Sequence, residues 1–510
     1  MQSTKHNKVE FGDFQTPVWF AEKVSALLSS SGFSPRSLLE PTCGLGSLLI
    51  AALDEFQMVE TAVGAEINLA YIDLLKQQIN SRIDGDKIKL LHTNFFDTDW
   101  QQILKNLPDP LLIIGNPPWV TNTTLASLDS QNLPPKNNFQ NHSGIEAITG
   151  SSNFDISEWM LLKMISWVQE RHSAVAILCK TVVARKVLRQ IWQKSNLTGS
   201  AQIHTFDAQT VFGAAVDACL FIYNSERIST SKTCQIYQDL SYDSPVMEFG
   251  FYDNQLIANM GFFEKWGHLA NLGENKYKWR SGIKHDCAKV MELEKTGNSY
   301  VNKQGESYDL EEVFLYPMLK SSDIAGSRRS KTNRWMLITQ RQVGENTRVI
   351  QSRAPKTWSY LQKHSDLLDG RKSSIYKGRP RFSIFGVGKY SFSPWKVVVS
   401  GLYKKLIFVV VGPYENKPTV LDDTCYFLSC RNEAEANLIA TLLNSETARQ
   451  FYKSFIFWDA KRPITAKILQ RLDLLKLANE LNLRTELEKF IEIKHESQGR
   501  QLKLLELAEL

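Results

Sequence analysis

The 510-residue sequence contains no apolar run long enough to cross a bilayer, and its opening residues 1–8 lack the apolar centre of a secretion signal. No membrane role is expected, and the chain is read as cytoplasmic. Cysteine is sparse: seven residues, an odd number with no Cys-x-x-Cys pair, which excludes a disulfide framework or a thiolate zinc centre. No metal is expected. Acidic residues are locally scarce. Residues 316–405 hold nineteen Lys and Arg against four Asp and Glu, so this window carries +15 in a chain whose total is +6. Such concentration is the footprint of a nucleic-acid surface, with a solvated basic face as the alternative.

The most informative stretch is Leu111-Leu112-Ile113-Ile114-Gly115-Asn116-Pro117-Pro118-Trp119. Its apolar half reads as a buried strand that stops at Gly115 and delivers Asn, two prolines and an aromatic beyond the strand end. In a parallel α/β sheet, ligands and chemistry occupy the crevice past the carboxyl ends of the strands. The tetrad suits methyl transfer to an exocyclic amino group of a base. Such a nitrogen is a poor nucleophile because its lone pair is delocalised into the ring. The Asn116 side-chain oxygen and the Pro117 carbonyl could accept its hydrogens and localise that pair, while Pro117 and Pro118 fix φ and add no competing N–H. Trp119 would offer a flat face to an extruded base. The bland alternative is a surface turn with Trp119 packed.

Upstream, residues 18–29 read as an amphipathic helix with Thr16 as cap and Pro17 at its first position. A strand over 37–41 leads into Thr42-Cys43-Gly44-Leu45-Gly46 and a helix over 47–55; a second strand over 61–66 ends in Glu66, about twenty residues after Gly46. That spacing suits a carboxylate on ribose hydroxyls, and the missing third glycine favours an adenosine with a small charged substituent over a dinucleotide. A helix over 69–81 and a strand over 88–92 precede Asn94 and Phe95, which could contact a cofactor's adenine edge and face, Phe95 being equally readable as core. A polar stretch over 120–152 comes after the tetrad and reads as a substrate-clamping loop. Asn153-Phe154-Asp155 then caps a helix to about 169. Further elements fall at 174–179, 182–194, 201–207 and 218–223, with Gly213 turning the last hairpin and lifting Phe212 toward the sheet edge.

As an ordered set these residues resemble the gamma-group N6-adenine DNA methyltransferases of restriction-modification systems. Phe14-Gln15-Thr16-Pro17 resembles that family's amino-terminal cofactor motif, and Glu40-Pro41-Thr42-Cys43-Gly44-Leu45-Gly46 its glycine motif. Glu66 is similar to the ribose acid and Asn94-Phe95 to the adenine-contacting pair, where Asp is more usual than Asn. Asn116-Pro117-Pro118-Trp119 matches the catalytic tetrad, where Tyr or Phe is commoner than Trp. Phe212 falls where the family has a second aromatic against the target base. The resemblance implies a class I α/β catalytic domain with a seven-stranded doubly wound sheet over 1–225, a connector over 226–315, an α+β DNA-recognition domain over 316–465 and terminal helices over 466–510. It implies S-adenosyl-L-methionine as cofactor, double-stranded DNA as partner, a separate restriction endonuclease or defence-complex subunit as companion, and a monomer.

Candidate DNA contacts are Lys284, Arg328, Arg329, Arg371, Lys372, Lys377, Arg379, Arg381, Lys461 and Arg462, most of them expected to anchor phosphates rather than read bases. His285-Asp286 is read as a solvated or structural pair, and Cys43 as a small packed residue. Transfer to cytosine C5 is disfavoured, because it requires a cysteine nucleophile and none of the seven cysteines follows a proline. Cytosine N4 and RNA adenine stay open, since those amines need the same acceptors. So does a different class, a DNA-recognition subunit whose cofactor pocket only regulates assembly. A nuclease in the same chain is not expected, because Pro108-Asp109 has no Glu-x-Lys close behind it.

Overall fold

The computed structural model describes residues 14–120, 155–169, 171–193, 199–225, 232–271, 273, 276–326, 332–460 and 462–491. Asn153, Phe154, residues 121–152, Arg328, Arg329, Lys461 and the terminal helix expected beyond 491 therefore lie outside the described residues. The chain divides into two compact units, residues 1–260 and 261–510.

In the first unit, strands β1 (Ser37–Glu40), β2 (Thr61–Glu66), β3 (Ile88–His92), β4 (Leu111–Gly115) and β5 (Ser173–Lys180) run parallel in the order 3-2-1-4-5. Strand β7 (Asp217–Asn224) lies antiparallel between β5 and β6 (Ser200–Asp207). This is the class I α/β sheet, and it is larger than seven strands. Three more, β8 (Thr233–Tyr237), β9 (Met247–Tyr252) and β10 (Gln255–Ile257), continue it beyond β6 to ten. An open edge at β6 would leave a row of unpaired N–H and C=O groups; β8 closes it by pairing Ala201 with Cys234 and burying Cys234 and Ile236. The expected boundary at 225 is corrected accordingly: residues up to 260 belong with the sheet, and 226–315 is no separate connector.

Leu111 to Ile114 on β4 are wholly buried between β1 and β5. Each contributes on the order of 1.5–3 kcal/mol by burial, which makes β4 a rigid mount for the Asn-Pro-Pro-Trp segment at its end. Helix α1 (Val18–Ser30) starts at the expected residue, but Pro17 occupies the cap position and not the first helical one; its carbonyl accepts from Phe20 and Ala21 at 3.0 Å. Thr16 does not cap, because its hydroxyl accepts from Asn116 instead. Helices α2 (Ser47–Glu55), α3 (Leu69–Asn80), α4 (Trp100–Lys105), α5 (Ile156–Val168) and α6 (Thr181–Gln193) complete the layers. A short helix, α7 (Ala208–Phe212), replaces the expected tight hairpin and ends on Gly213 at φ 67°.

The second unit is α+β. A six-stranded sheet includes Glu292–Thr296, Leu315–Leu319 and Arg334–Leu337, and a four-stranded one includes Trp395–Ser400 and Cys425–Cys430. Helices Glu433–Asn444 and Glu446–Lys453 are separate, because the Ser445 hydroxyl accepts the Ala448 N–H at 3.2 Å and starts a new helix. A charged cluster surrounds the buried Glu292 carboxylate in this unit. Glu292 takes Lys320 at 2.6 Å, Lys303 at 2.5 Å and His285 at 3.4 Å. His285 Nδ1 accepts from the Cys287 N–H, so Nε2 carries the proton toward Glu292. His285 is therefore structural and buried, not solvated.

Burial pushes the Glu292 carboxyl up, but His285, Lys303 and Lys320 outweigh it and bring it down to about 2. The folded value lies below that of an unfolded Glu, about 4.3. The stability it contributes is thus present above about 4.3 and lost as pH falls toward 2. Between these limits the thermal midpoint of the native protein should fall more steeply than that of Glu292→Gln; parallel curves would contradict this.

Candidate active site

The carboxyl ends of β1 to β4 open onto one cleft of about 1040 Å³, counting its solvent-open part. Of the cofactor residues expected from the sequence, Phe14, Thr16, Glu40, Pro41, Cys43, Gly44, Glu66, Asn94, Phe95 and Asn116 line it, and Pro17 and Gly46 do not. Sequence reasoning missed Gln15 and Thr42, which sit inside the quoted motifs, and Tyr71 and Met160, which arrive from helices.

The turn after β1 carries the backbone toward the cleft. Gly44 and Gly46 have φ of +52° and +78°, a region that L side chains rarely adopt. A Cβ on Gly46 would lie 2.6 Å from the buried Leu75 Cδ1. One on Gly44 would meet the exposed Gln15 side chain at 2.7 Å, which can move aside. Gly44→Ala should therefore fold, with an αL penalty of about 1–3 kcal/mol. It should weaken cofactor binding by about tenfold; an unchanged Kd in a calorimetric titration would count against the turn's role.

Glu66 braces this turn. Its Oε2 accepts from the Gly44 N–H and its Oε1 from the Asn68 N–H, both at 2.9 Å. Glu40 is buried and accepts from the Leu49 N–H at 2.9 Å. Burial pushes its carboxyl well above the usual range, and Glu66 adds to the rise against that hydrogen bond. Burial, with Glu40 and Glu66 nearby, also pushes the Cys43 thiol up, which disfavours a thiolate nucleophile there. Asn94 Oδ1 accepts from the Phe96 N–H at 2.9 Å and so is committed to its own turn. Phe95 both lines the cleft and packs against Trp100 and Trp167.

Beyond β4, Asn116 donates from Nδ2 to the Phe14 carbonyl at 2.8 Å and to Thr16 Oγ1 at 3.3 Å. A carbonyl only accepts, so this bond fixes which end of the amide is which. The other end, Oδ1, is buried without a hydrogen-bond partner among the described residues, as is Thr42 Oγ1. A buried unsatisfied acceptor costs about 1–3 kcal/mol, and its presence in a cleft marks a place for a donor from outside. Pro118 lines the cleft; Pro117 is buried outside its lining. Trp119 is not an open face. It is 5% exposed, donates from Nε1 to the Leu178 carbonyl at 3.2 Å, and packs against Phe14 and, edge-on, Phe212 with centroids 5.8 and 5.3 Å away. Phe212 thus joins the tetrad through this aromatic cluster.

In the second unit the basic candidates divide. The Arg371 guanidinium donates to the carbonyls of Leu368, His285 and Ser383 and stacks 3.7 Å over Tyr376, so it acts as a strut within the fold. Arg381 is held by Asp369 through two nitrogens, at 2.6 and 3.1 Å, in an exposed pair. Lys284 faces Asp286 at 3.5 Å and Arg462 faces Asp423 at 3.7 Å. Lys372, Lys377 and Arg379 are exposed on the segment between the two engaged arginines.

No protein-family profile matches the chain. It is 47% identical over 481 residues to the type II methyltransferase M.NspV of Nostoc sp. (strain ATCC 29411 / PCC 7524), covering 94% of this chain and 99% of that protein. Its fold is similar to that of the type IIL restriction-modification enzyme MmeI, solved in complex with DNA, with a TM-score of 0.52 and 13% identity over 92% of this chain and 66% of that one. A class I sheet, a glycine turn braced by Glu66 and an unsatisfied acceptor at Asn116 accompany that kinship: the chain belongs to the type II methyltransferases, with S-adenosyl-L-methionine as its cofactor.

Proposed function

We propose that the chain transfers a methyl group to the N6 amino group of adenine at a specific site in double-stranded DNA, on a base turned out of the duplex. The observation that carries this is Asn116 Oδ1, a buried acceptor with no partner among the described residues, in the lining of the cleft. The cleft fits S-adenosylmethionine: the Glu66 carboxylate and Thr42, whose Oγ1 is buried without a hydrogen-bond partner among the described residues, line it together with the glycine turn after β1. Bound there, the cofactor supplies a methyl already activated by its sulfonium.

The chain's part is to hold and polarise the amine. Phe14 keeps the Asn116 nitrogen turned away, so Oδ1 is free to accept one amine hydrogen. The Pro117 carbonyl accepts the other, and neither proline offers a competing N–H. Accepting both hydrogens localises the nitrogen lone pair as positive charge develops. After transfer the methylated nitrogen loses one of its own two protons to solvent. Stacking on Trp119 requires the cluster with Phe14 and Phe212 to open, and those rings would then flank the base. Lys372, Lys377 and Arg379 anchor phosphates.

Cytosine N4 is the second reading, because the same two acceptors serve it. The concentration of basic charge in the second unit favours nucleic acid over a protein amide as substrate. Membership among type II methyltransferases favours DNA over RNA and a separate restriction endonuclease as companion. Sequencing that detects modified bases in DNA from cells expressing the chain tests this. N6-methyladenine within one recurring sequence is expected, N4-methylcytosine would move the acceptor to cytosine, and unmodified DNA would overturn the proposal.

A further inference from the structure

We infer that Lys180 is a positioning residue for methyl transfer, holding the exit of the Asn-Pro-Pro-Trp segment and the start of α5 with one ammonium group. It stands at the carboxyl end of β5, after a run of buried apolar residues. Its Nζ donates to the Trp119 carbonyl at 2.8 Å and to Asp155 Oδ2 at 2.6 Å. Asp155 caps α5: its Oδ1 accepts from the Ser157 N–H at 3.2 Å and from the Ser157 hydroxyl at 2.5 Å. The Ile156 N–H in turn donates to the Val120 carbonyl at 2.9 Å. The chain thus leaves the site at Trp119, returns to it at Asp155, and meets the same side chain at both points.

The lever from Lys180 to Asn116 is short and stiff. Asn116 and Trp119 are separated only by Pro117 and Pro118, whose φ angles are locked by their rings. Strand β5 grips Trp119 at two atoms, the indole N–H through the Leu178 carbonyl and the main-chain carbonyl through Lys180. Releasing the second grip lets the carbonyl rotate, and with few soft torsions between them the displacement passes to the Asn116 amide. Asp155 keeps its cap through Oδ1 whether or not Lys180 is present, so Ile156 and Met160 in the cleft lining should stay in place. Lys180 therefore acts on the placement of the acceptor and not on cofactor affinity. It touches no reacting atom.

The inference rests on the methyltransferase reading, and its test separates the two. Wild type, Lys180→Met and Lys180→Arg are compared for single-turnover transfer of labelled methyl to DNA from cells that lack the chain, for calorimetric affinity for S-adenosylmethionine, and for thermal midpoint. Misplacement of about 1 Å can cost about a hundredfold in rate. K180M should accordingly lose on the order of 10- to 100-fold in the transfer rate at saturating DNA and cofactor, with cofactor Kd within about threefold of wild type. K180R, which keeps the charge and the donors, should recover most of the rate. Should K180M fail to fold, Lys180→Gln, which keeps a donor without the charge, supplies the same comparison. A wild-type rate in K180M, a loss of rate matched by the loss of cofactor affinity, or no recovery in K180R would overturn the positioning role. Absence of transfer by wild type would instead overturn the substrate assignment.

Discussion

Asn116→Ala should lower the single-turnover rate of methyl transfer by a factor on the order of 10²–10³, the loss typical when one group aimed at developing charge is removed. Affinity for S-adenosylmethionine should stay within a few fold. The two ends of the amide explain the difference. Its nitrogen is occupied by Phe14 and Thr16, and its oxygen has no work in the described structure other than to receive a donor. Asn116→Asp is the sharper variant. It keeps an acceptor but sets a carboxylate oxygen against the Phe14 carbonyl, where two acceptors repel. It should therefore be nearly as impaired as the alanine variant. Native turnover in either would remove Asn116 from the reaction.

The second large effect is electrostatic. Neutralising Lys372, Lys377 and Arg379 together should flatten the dependence of DNA affinity on salt by about 0.9 in log–log slope for each phosphate no longer neutralised. Arg371→Gln should behave differently, because its guanidinium ties three carbonyls together inside the fold. Hydrogen bonds to a charged group are worth about 1.5–3 kcal/mol each, so this change should appear mainly in thermal midpoint. An exposed pair such as Arg381 with Asp369 contributes little to stability, and Arg381→Gln should move neither quantity much. A salt slope unaltered in the triple variant would take DNA binding away from this segment.

Much of this site was legible in the sequence because it is built from local features. A wholly apolar run ending in Gly-Asn-Pro-Pro can only be a buried strand delivering a rigid turn, and glycines between a strand and a helix mark a close backbone approach. The acid at the end of β2 fell where spacing placed it, in the lining of the cleft. What was hidden depends on long-range partners. Thr16 looked like a helix cap because nothing local reveals that Asn116, a hundred residues on, takes its hydroxyl. Arg371 and Arg381 looked like free charge because Asp369 and the carbonyls that engage them cannot be weighed from composition. Trp119 looked like an open face, and only the packing of Phe14 and Phe212 shows it closed. Lys180 did carry a signal, a lone charge at the end of a buried strand, but its two acceptors lie sixty-one and twenty-five residues away. Strands β8 to β10 were missed because residues 226–260 were read as a connector, although Thr233 to Ile236 alternate half-buried and buried positions as a sheet requires.

The central claim is that one amide oxygen receives a hydrogen of the target amine. A crystal structure of the chain with duplex DNA carrying its site and a non-transferable cofactor analogue measures this directly. It should show an extruded adenine whose N6 lies about 2.7–3.2 Å from Asn116 Oδ1, with Nδ2 still on the Phe14 carbonyl. An extruded base whose amino group points away from Asn116, or an Asn116 oxygen turned back into the protein, would contradict it.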